Sequence, residues 1–561
     1  MDRIDLLKDF IKGSPSDSFL QHALALEYIK IGNDESAKVL FEEILNRAQI
    51  ERETDPSITG TAKFLISASY FEENKDVIKE AREKLLKEDP RKLILNCLRS
   101  IVKKIQTTES SKRYMWVDRL ENLAIRGLGL TVDELEFIGS DSKNIFRSEP
   151  QWDKIESHIN QIVLGDSFIM NFSIPEDKKI WGGEIPLRIS SCDASQHRFK
   201  LTLPYFNKTF STPIVVNNAA GIIKERNGTD PNWIRVAVPK STQDFENWVI
   251  VGTDEFRDLE ENDYEWATKS AMDVGQFYVE ESYIFTYGGA SKRPDVHFRD
   301  GTIFTQDRAM NCKLQNRHGE LTREAIFRMV KTIQRAKDLG IIFCGVSKIV
   351  QLKLYSIIID YYIKEVMGDQ KWNITESMLS DSEIMRFFLC NEKFDGSAFN
   401  EVYVTCPIVR SFYVKSNLNS RTDKQAENDL KSLESVNHTR TMTARQIVED
   451  AIKIKVAMFF VGHSRTDEFY MPRYEFVYYD EYKNEIVQKI TQILSAIRLA
   501  TVELDQDHQR TLEEPILVPQ PLMFAHEVSK AMGEELVQDW CTRTWAEYIK
   551  MKDSVIPKKS N

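Results

Sequence analysis

The chain has 561 residues, of which 42% are hydrophobic and 29% charged, a composition typical of globular proteins with room for about three domains. Its formal net charge of −11 argues against general binding of nucleic acid over the whole surface, although it leaves room for a local basic channel. The seven cysteines are scattered and form no CxxC pair, which argues against a disulfide framework and against a structural zinc site.

The sequence shows neither a signal peptide nor a membrane span. No apolar run approaches the ~18 residues that a span needs. The opening stretch MDRIDLLKDFIKG has acidic residues among its first ten and lacks the apolar core of a signal peptide. We therefore expect a cytoplasmic protein with no membrane partner.

Residues 1–125 have helical periodicity. The segment 17–48 predicts two amphipathic helices joined by a turn at Gly32, and its small and aromatic positions resemble one tetratricopeptide repeat. Those positions are Leu24, Tyr28, Ala37 and Phe41. Because a single repeat cannot bury its own faces, residues 61–92 would have to stack on it. A generic helical hairpin is the alternative, and both interpretations predict a helical interaction domain over 1–145.

The helical pattern continues to about residue 165, interrupted by a polar, turn-rich stretch at 139–152 that predicts a domain linker. Beyond it the pattern changes to short strands and then to alternating helices and strands. We therefore predict an α/β domain over 166–545, built on a mixed sheet flanked by helices, and a polar tail at 546–561. The first strands are predicted at 167–174, 187–195, 213–223, 233–239 and 248–256.

A strand–helix–strand unit follows in this region. The predicted strand Val296–Arg299 precedes a helix over 321–340, with Thr322 near its start and Gly340 as its C-cap. The next strand, 341–346, is apolar throughout, as a strand buried on both faces should be. A right-handed crossover makes the two strands parallel neighbours, so their carboxyl ends share one edge of the sheet.

Asp300 and Gly301 come at the end of the first of these strands. An Asp-Gly pair is a strong signal for a hairpin turn, which is one interpretation. The other is a metal ligand on the rim of the sheet, since open α/β sheets bind ligands along the edge where the strands end. The crossover would bring Lys348, at the end of the second strand, to the same edge.

Further carboxylates are candidates for that edge. Asp193 follows an alternating strand and precedes small residues, while Glu280 and Glu281 interrupt an apolar segment, where a buried acid pair needs a compensating cation. Three carboxylates suit Mg²⁺ or Mn²⁺, and two such ions ~4 Å apart clamp both oxygens of a phosphodiester displacement. The alternatives are that these acidic residues lie at strand ends without binding a metal, and that Lys348 is a lysine exposed to solvent.

Four features resemble the NurA nuclease family: VHFRDGTIF (296–304), the helix that follows it, IIFCGVSK (341–348) and PQPLMFAHEVSKAM (519–532). The resemblance implies an α/β fold with an RNase H-like mixed sheet, here preceded by the all-α, tetratricopeptide-like domain. It also implies a Mn²⁺-dependent (or Mg²⁺-dependent) nuclease that acts on single-stranded DNA and DNA ends. The implied partners are a second copy of the chain, as a homodimer, and a HerA-type hexameric DNA-translocating ATPase, in DNA end processing or defence against foreign DNA.

The resemblance also assigns roles to residues of this chain. It implies that Lys348 is the catalytic strand-end lysine and that four other catalytic residues hold the metal. Those four are Asp193, Glu281, Asp300 and His526. Glu280 is the alternative to Glu281, and Asp254 the alternative to Asp193. The family's tyrosine corresponds to Tyr474 or Tyr403.

Two functions of different classes follow. The first is a metal-dependent DNA nuclease whose helical region docks a partner. The second is a scaffold that has lost activity, which is favoured by the Asp-Ala-Ser at 193–195 where the family usually has Asp-Gly-Ser. An RNase H-like enzyme that acts on RNA is a third possibility, although no segment is recognisable as a reader of the 2′-hydroxyl.

Overall fold

The structure, a computed structural model, describes most of the helical and α/β regions. Within these residues no helix is both long and apolar enough to cross a membrane. The described residues are 3–13, 18–33, 35–41, 43, 74–109, 112–135, 149–173, 188–205, 208–227, 230–238, 249–251, 261–287, 293–304, 317–347, 350, 352–368, 380–389, 401–412, 444–462, 471–508, 519, 521–531, 533, 538 and 542.

Eleven strands can be assigned in the described residues, and they join into one mixed sheet. They are β1 (Ile169–Ser173), β2 (Arg188–Tyr205), β3 (Lys208–Asn227), β4 (Asp230–Val238), β5 (Val249–Val251), β6 (Val296–Asp300), β7 (Ile342–Ser347), β8 (Glu401–Thr405), β9 (Ile408–Ser411), β10 (Lys455–Gly462) and β11 (Arg473–Tyr478).

The helices precede the sheet and alternate with its strands. The α-helices are Arg3–Gly13, Ser18–Lys30, Pro90–Thr107, Arg113–Leu120, Val132–Leu135, Trp152–Ile162, Glu261–Val279, Arg317–Leu339, Tyr355–Tyr361, Asp381–Leu389, Ala444–Ala451 and Ile486–His508, with a C-terminal helix at 521–531. Single π-helical turns follow three of them, at Glu121–Gly127, Glu280–Ile284 and Tyr362–Gly368, and a 3₁₀ turn spans Asp480–Asn484.

The sheet has strand order β1-β8-β10-β11-β7-β6-β2-β3-β4, with β5 and β9 attached to β3 and β10. Its centre is parallel, because β6 pairs in parallel with both β2 and β7. The other pairings are antiparallel. The predicted α/β class, with a mixed sheet flanked by helices and a parallel strand–helix–strand unit, is therefore confirmed.

The strands after residue 187 differ in length from the prediction. In place of short strands, β2 has 18 residues and β3 has 20, and the two pair continuously from Arg188↔Glu225 to Tyr205↔Lys208. The residues between the predicted strands, 196–205 and 208–212, continue the pairing, so Asp193 lies within β2 and does not follow it. Antiparallel pairing is made by backbone N–H and C=O groups, so a run of polar side chains does not end it.

The two faces of the sheet are covered by different helices. On what we call the reverse face, the helices Glu261–Val279 and Arg317–Leu339 pack Phe277 and Met329 in one core with Cys192. On the front face, the helix Ile486–His508 and the C-terminal helix pack against the apolar side of β6 and β7; members of this core are Phe298, Val346, Ile490, Ile493 and Leu522. This division decides which side chains can meet.

The helical region before the sheet packs directly against it. Leu98 and Ile101 of the helix Pro90–Thr107 belong to one core with Ile358 and with Phe460 of β10. Nearer the start, the first helices pack a small core of Ala25, Ala37 and Phe41. Residues 44–73, which include much of the expected repeat partner, lie outside the described residues, so the tetratricopeptide resemblance stays a prediction.

A buried carboxylate caps a helix in this region. Asp381, which is fully buried, accepts N–H bonds from Leu354 at 2.9 Å and from Ser356 at 2.8 Å, at the start of the helix Tyr355–Tyr361. Burial raises the pKa of Asp381 to about 6, against the lowering effect of these hydrogen bonds. The native state therefore holds a proton on this carboxyl at pH values where the unfolded chain has released it.

We expect Asp381→Asn to show this linkage. Since the native pKa lies above the unfolded value near 3.8, the stability that wild type gains from the proton is greatest below pH 4 and is lost as the pH rises through 6. The stability of wild type relative to Asp381→Asn should fall by at most about 3 kcal/mol across this range. Denaturation midpoints at pH 4.5, 6 and 7.5 measure it, and a constant difference would contradict the assignment.

Candidate metal centre

Two aspartates stand side by side on the parallel strands at the centre of the sheet. The register pairs Cys192 of β2 with Arg299 of β6, so the next positions, Asp193 and Asp300, are neighbours where this parallel pairing ends, at the carboxyl end of β6 and within the longer strand β2. Phe298 packs in the front-face core. Because side chains two apart share a face, both carboxylates lie on the front of the sheet.

The Asp-Gly pair is not a hairpin turn. The neighbours of β6 are β2 and β7, and both run parallel to it. Gly301 has a φ of +89°, and its N–H donates to the Val346 carbonyl at 2.9 Å. The glycine thus lets the chain leave the sheet in a conformation that disfavours other residues, while Asp300 stays paired within β6.

A histidine from the C-terminal helix completes the group. His526 Nδ1 lies 2.7 Å from Asp193 Oδ2, across 333 positions of sequence. One ligand atom each from Asp193, Asp300 and His526 lies within 4.8 Å of the other two. The Asp193 side chain is 6% exposed and that of His526 is 45% exposed, so the group has a buried floor and a solvent-facing side.

The donor set fits a divalent cation. Two carboxylates and one imidazole suit Mn²⁺ well and Mg²⁺ less well, because imidazole is the softer ligand. The second oxygen of Asp193 accepts the Ala194 N–H at 2.7 Å, which leaves Oδ2 to face the histidine. A cation bound here would replace the contact between His526 Nδ1 and Asp193 Oδ2, since a metal-binding imidazole nitrogen must be unprotonated.

The structure does not bring Glu281 to this group. Its carboxylate faces the helix Arg317–Leu339, with Oε1 at 3.3 Å from Lys331 Nζ and Oε2 at 3.9 Å from Arg328 Nη1. The segment expected to run along the sheet edge is instead the end of a helix and a π-helical turn, and it packs on the reverse face. The sheet therefore separates Glu281 from the two aspartates.

Glu280, the alternative to Glu281, is fully buried on the reverse face and already compensated. Arg299 donates to it at 2.9 Å, and His297 Nε2 lies 3.2 Å from it. The compensating charge that the sequence led us to expect from a divalent ion thus comes from an arginine. Burial lowers the pKa of His297, and this outweighs the raising effect of Glu280.

The remaining predicted residues fall into two groups. Lys348 and Asp254 lie outside the described residues. Of the tyrosines, Tyr474 stands opposite Val346, which stands opposite Asp300, so it shares a row of the sheet with both aspartates.

Tyr474 lies two strands away from Asp300, whereas Tyr403 on β8 lies four strands away. The Tyr474 ring is buried against Phe298 at 6.4 Å between centroids. Burial raises the pKa of this phenol well above its usual value, so it would act as a neutral group. The role of either tyrosine stays a prediction.

The sequence did not reveal the residues on the reverse face that bind the backbone of β2 and β6 beside the aspartates. Gln276 Nε2 donates to the Cys192 carbonyl at 2.9 Å and lies 3.2 Å from the Asp300 carbonyl, which ties β2 to β6 beside the aspartates. Arg299 also donates to Asp273 at 2.8 Å and lies over the Phe277 ring. The spacing of Asp273, Gln276 and Glu280 signals a polar helix face, although it does not indicate what that face binds.

We expect Gln276→Met to weaken this link between the strands, because methionine keeps the volume but cannot donate a hydrogen bond to either carbonyl. The free energy of unfolding should fall by about 1–3 kcal/mol. Gln334→Met is the matched control: Gln334 bonds Asp338 on an exposed helix face, and its loss should cost under about 0.5 kcal/mol. Equal denaturation midpoints for the two variants would show that Gln276 contributes no such stabilisation.

Comparisons with known proteins give a distant structural likeness. No protein-family model matches the chain, and no curated protein matches it. The crystal structure of the NurA nuclease from Sulfolobus solfataricus is 11% identical over 71% of this chain and 94% of that one, with a TM-score of 0.35. A second crystal structure of NurA is 10% identical over 64% of this chain and 66% of that one, with a TM-score of 0.14. Likeness at this level does not establish a shared activity.

Proposed function

We propose that the chain is a divalent-metal-dependent DNA nuclease with its active site at the front edge of the sheet. The observation that carries the proposal is the convergence of Asp193, Asp300 and His526, with one ligand atom of each inside 4.8 Å. The three come from two strands and a helix that are distant in sequence, and they meet at the carboxyl end of β6, a position of the kind that binds ligands in α/β proteins.

Each residue has a task in this proposal. Asp193 and Asp300 hold the cation, and the parallel register of β2 and β6 fixes their separation. His526 is the third ligand, or it gives a proton to the leaving oxygen from the exposed side of the group. The bound ion would polarise the scissile phosphate and offset the charge that develops on it. The solvent-facing side leaves a path for a DNA strand.

Single-stranded DNA and DNA ends are the proposed substrates, as the motif resemblance implies. A HerA-type translocating ATPase and a second copy of the chain are the proposed partners, with the helical region as the docking element. The roles in DNA end processing or defence against foreign DNA belong to the same proposal. The net charge of −11 favours a confined DNA contact near the site over broad electrostatic binding.

An inactive scaffold is the second candidate. It is favoured by the ion pairs of Glu281 with Lys331 and Arg328, which leave two carboxylates in the group where three were expected. A protein of this kind would use the helical region to recruit partners and would cleave no DNA.

Asp300→Asn and Asp193→Asn should each lower Mn²⁺-dependent cleavage of labelled single-stranded DNA by at least about a hundredfold, because each removes a charged ligand. Chelation with EDTA should abolish cleavage in wild type, and added Mn²⁺ should restore it. Wild type that degrades no DNA in Mn²⁺ or Mg²⁺, with and without the ATPase, would favour the scaffold.

The Glu281→Gln variant tests whether Glu281 binds the metal, as the motif resemblance implies, or only pairs with cations behind the sheet. Because the Glu281 carboxylate faces two cations behind the sheet, we expect cleavage within about threefold of wild type and at most about 1 kcal/mol of lost stability. A hundredfold loss, equal to that of Asp300→Asn, would show that Glu281 reaches the metal during the reaction. Mn²⁺ titration of both variants by calorimetry provides the matching binding data.

A further inference from the structure

We propose that Asn218 and Ser195 form a clamp that docks the C-terminal helix and thereby places His526 beside Asp193. The two are positioning residues, and the proposal rests on the metal site described above. Asn218 and Ser195 are cross-strand partners on β3 and β2, in a pairing two positions beyond Asp193. By alternation, Ser195 lies on the front face with the aspartate.

The clamp holds a main-chain atom of the helix. Asn218 Nδ2 donates to the Ser529 carbonyl at 2.6 Å, and Ser195 Oγ lies 2.8 Å from the same oxygen. Ser195 Oγ is also 2.6 Å from Asn218 Oδ1, so its single proton serves one of these two acceptors. The Asn218 side chain is fully buried, and both ends of its amide are engaged here.

The helix presents its clamped carbonyl and its histidine on one side. Ser529 is three positions after His526, a spacing that puts the two residues on the same helix face. Leu522, Ala525 and Ser529 are fully buried and form the stripe that meets the sheet. His526, at the edge of this stripe, is left half-exposed over Asp193.

Close approach at the far end of the helix supports the same docking. A Cβ on Gly533 would lie 1.8 Å from His197 Nε2, so a larger residue at this position would have to displace the His197 ring. His197 Nε2 is in turn 3.2 Å from Ser195 Oγ. Contacts to β2 and β3 thus hold this part of the chain at Ser529 and at Gly533, and neither contact involves a metal-ligand atom.

The three candidate ligands differ in what positions them. Asp193 and Asp300 are set by the sheet alone, whereas His526 arrives only when the helix docks. The clamp therefore decides whether the centre has two ligands or three. Loss of the Asn218 side chain should weaken metal binding only when His526 is present. A general loss of stability would weaken metal binding with and without His526.

The test is a double-mutant cycle on Mn²⁺ affinity, measured by calorimetry on the full chain. In the background with His526 intact, Asn218→Ala should weaken Mn²⁺ binding about ten- to hundredfold. In a His526→Ala background the same change should alter affinity by less than about twofold. Asn122→Ala, which removes a buried amide that donates to Asp118 far from the site, is the control and should leave affinity unchanged. An equal loss with and without His526 would overturn the proposal.

A metal-free measurement separates this proposal from the proposed function. Amide hydrogen exchange over residues 526–531 should be at least about tenfold faster in Asn218→Ala than in wild type, without added metal. If wild type binds no Mn²⁺, the nuclease proposal fails, but the exchange rates still test the clamp. Exchange that is unchanged in Asn218→Ala would overturn the clamp proposal. Should Asn218→Ala fail to fold, Ser195→Ala, which removes one hydroxyl, is measured in the same way with the same two outcomes.

Discussion

The parallel pairing of β2 with β6 is the constraint on which the candidate centre depends. Its register sets Cys192 against Arg299 and so places Asp193 next to Asp300. Two carboxylates this close repel each other, and strand pairing holds them there because backbone hydrogen bonds and a core on each face fix both strands. A slip of one residue would turn either side chain to the opposite face, so the register is specified by the burial of the whole strand.

The reverse face stabilises this arrangement through charge balance and backbone contacts. A buried guanidinium is held between two carboxylates and above an aromatic ring, one residue before Asp300. An unpaired charge in that position would be strongly destabilising, and with both partners it anchors the strand end. Gln276 adds an amide that reaches the backbone of both strands. The acidic side chains behind the sheet thus serve structure, while Asp193 and Asp300 in front each have a carboxylate oxygen within 4.8 Å of His526.

The front face depends on a helix that is remote in sequence. The C-terminal helix packs Leu522 into the core of the sheet and sets a histidine over its edge. A centre assembled this way would have two ligands on the sheet and one on a helix that is remote in sequence. Its completeness would therefore depend on the docking of this helix.

The sequence by itself determined the α/β class, the parallel strand–helix–strand unit and the acidic edge at Asp300, because hydrophobic periodicity and the crossover rule are local properties. It also marked Asp193 by its position after an alternating segment, and His526 through a family resemblance. The sequence misplaced the glutamates, since an acid inside an apolar run looks the same on a strand edge and at the end of a helix. Only the tertiary structure decided that Glu280 meets Arg299, that Glu281 meets Lys331, and that His526 meets Asp193. Contacts between residues so far apart depend on which face of the sheet each element covers, and no local pattern encodes that.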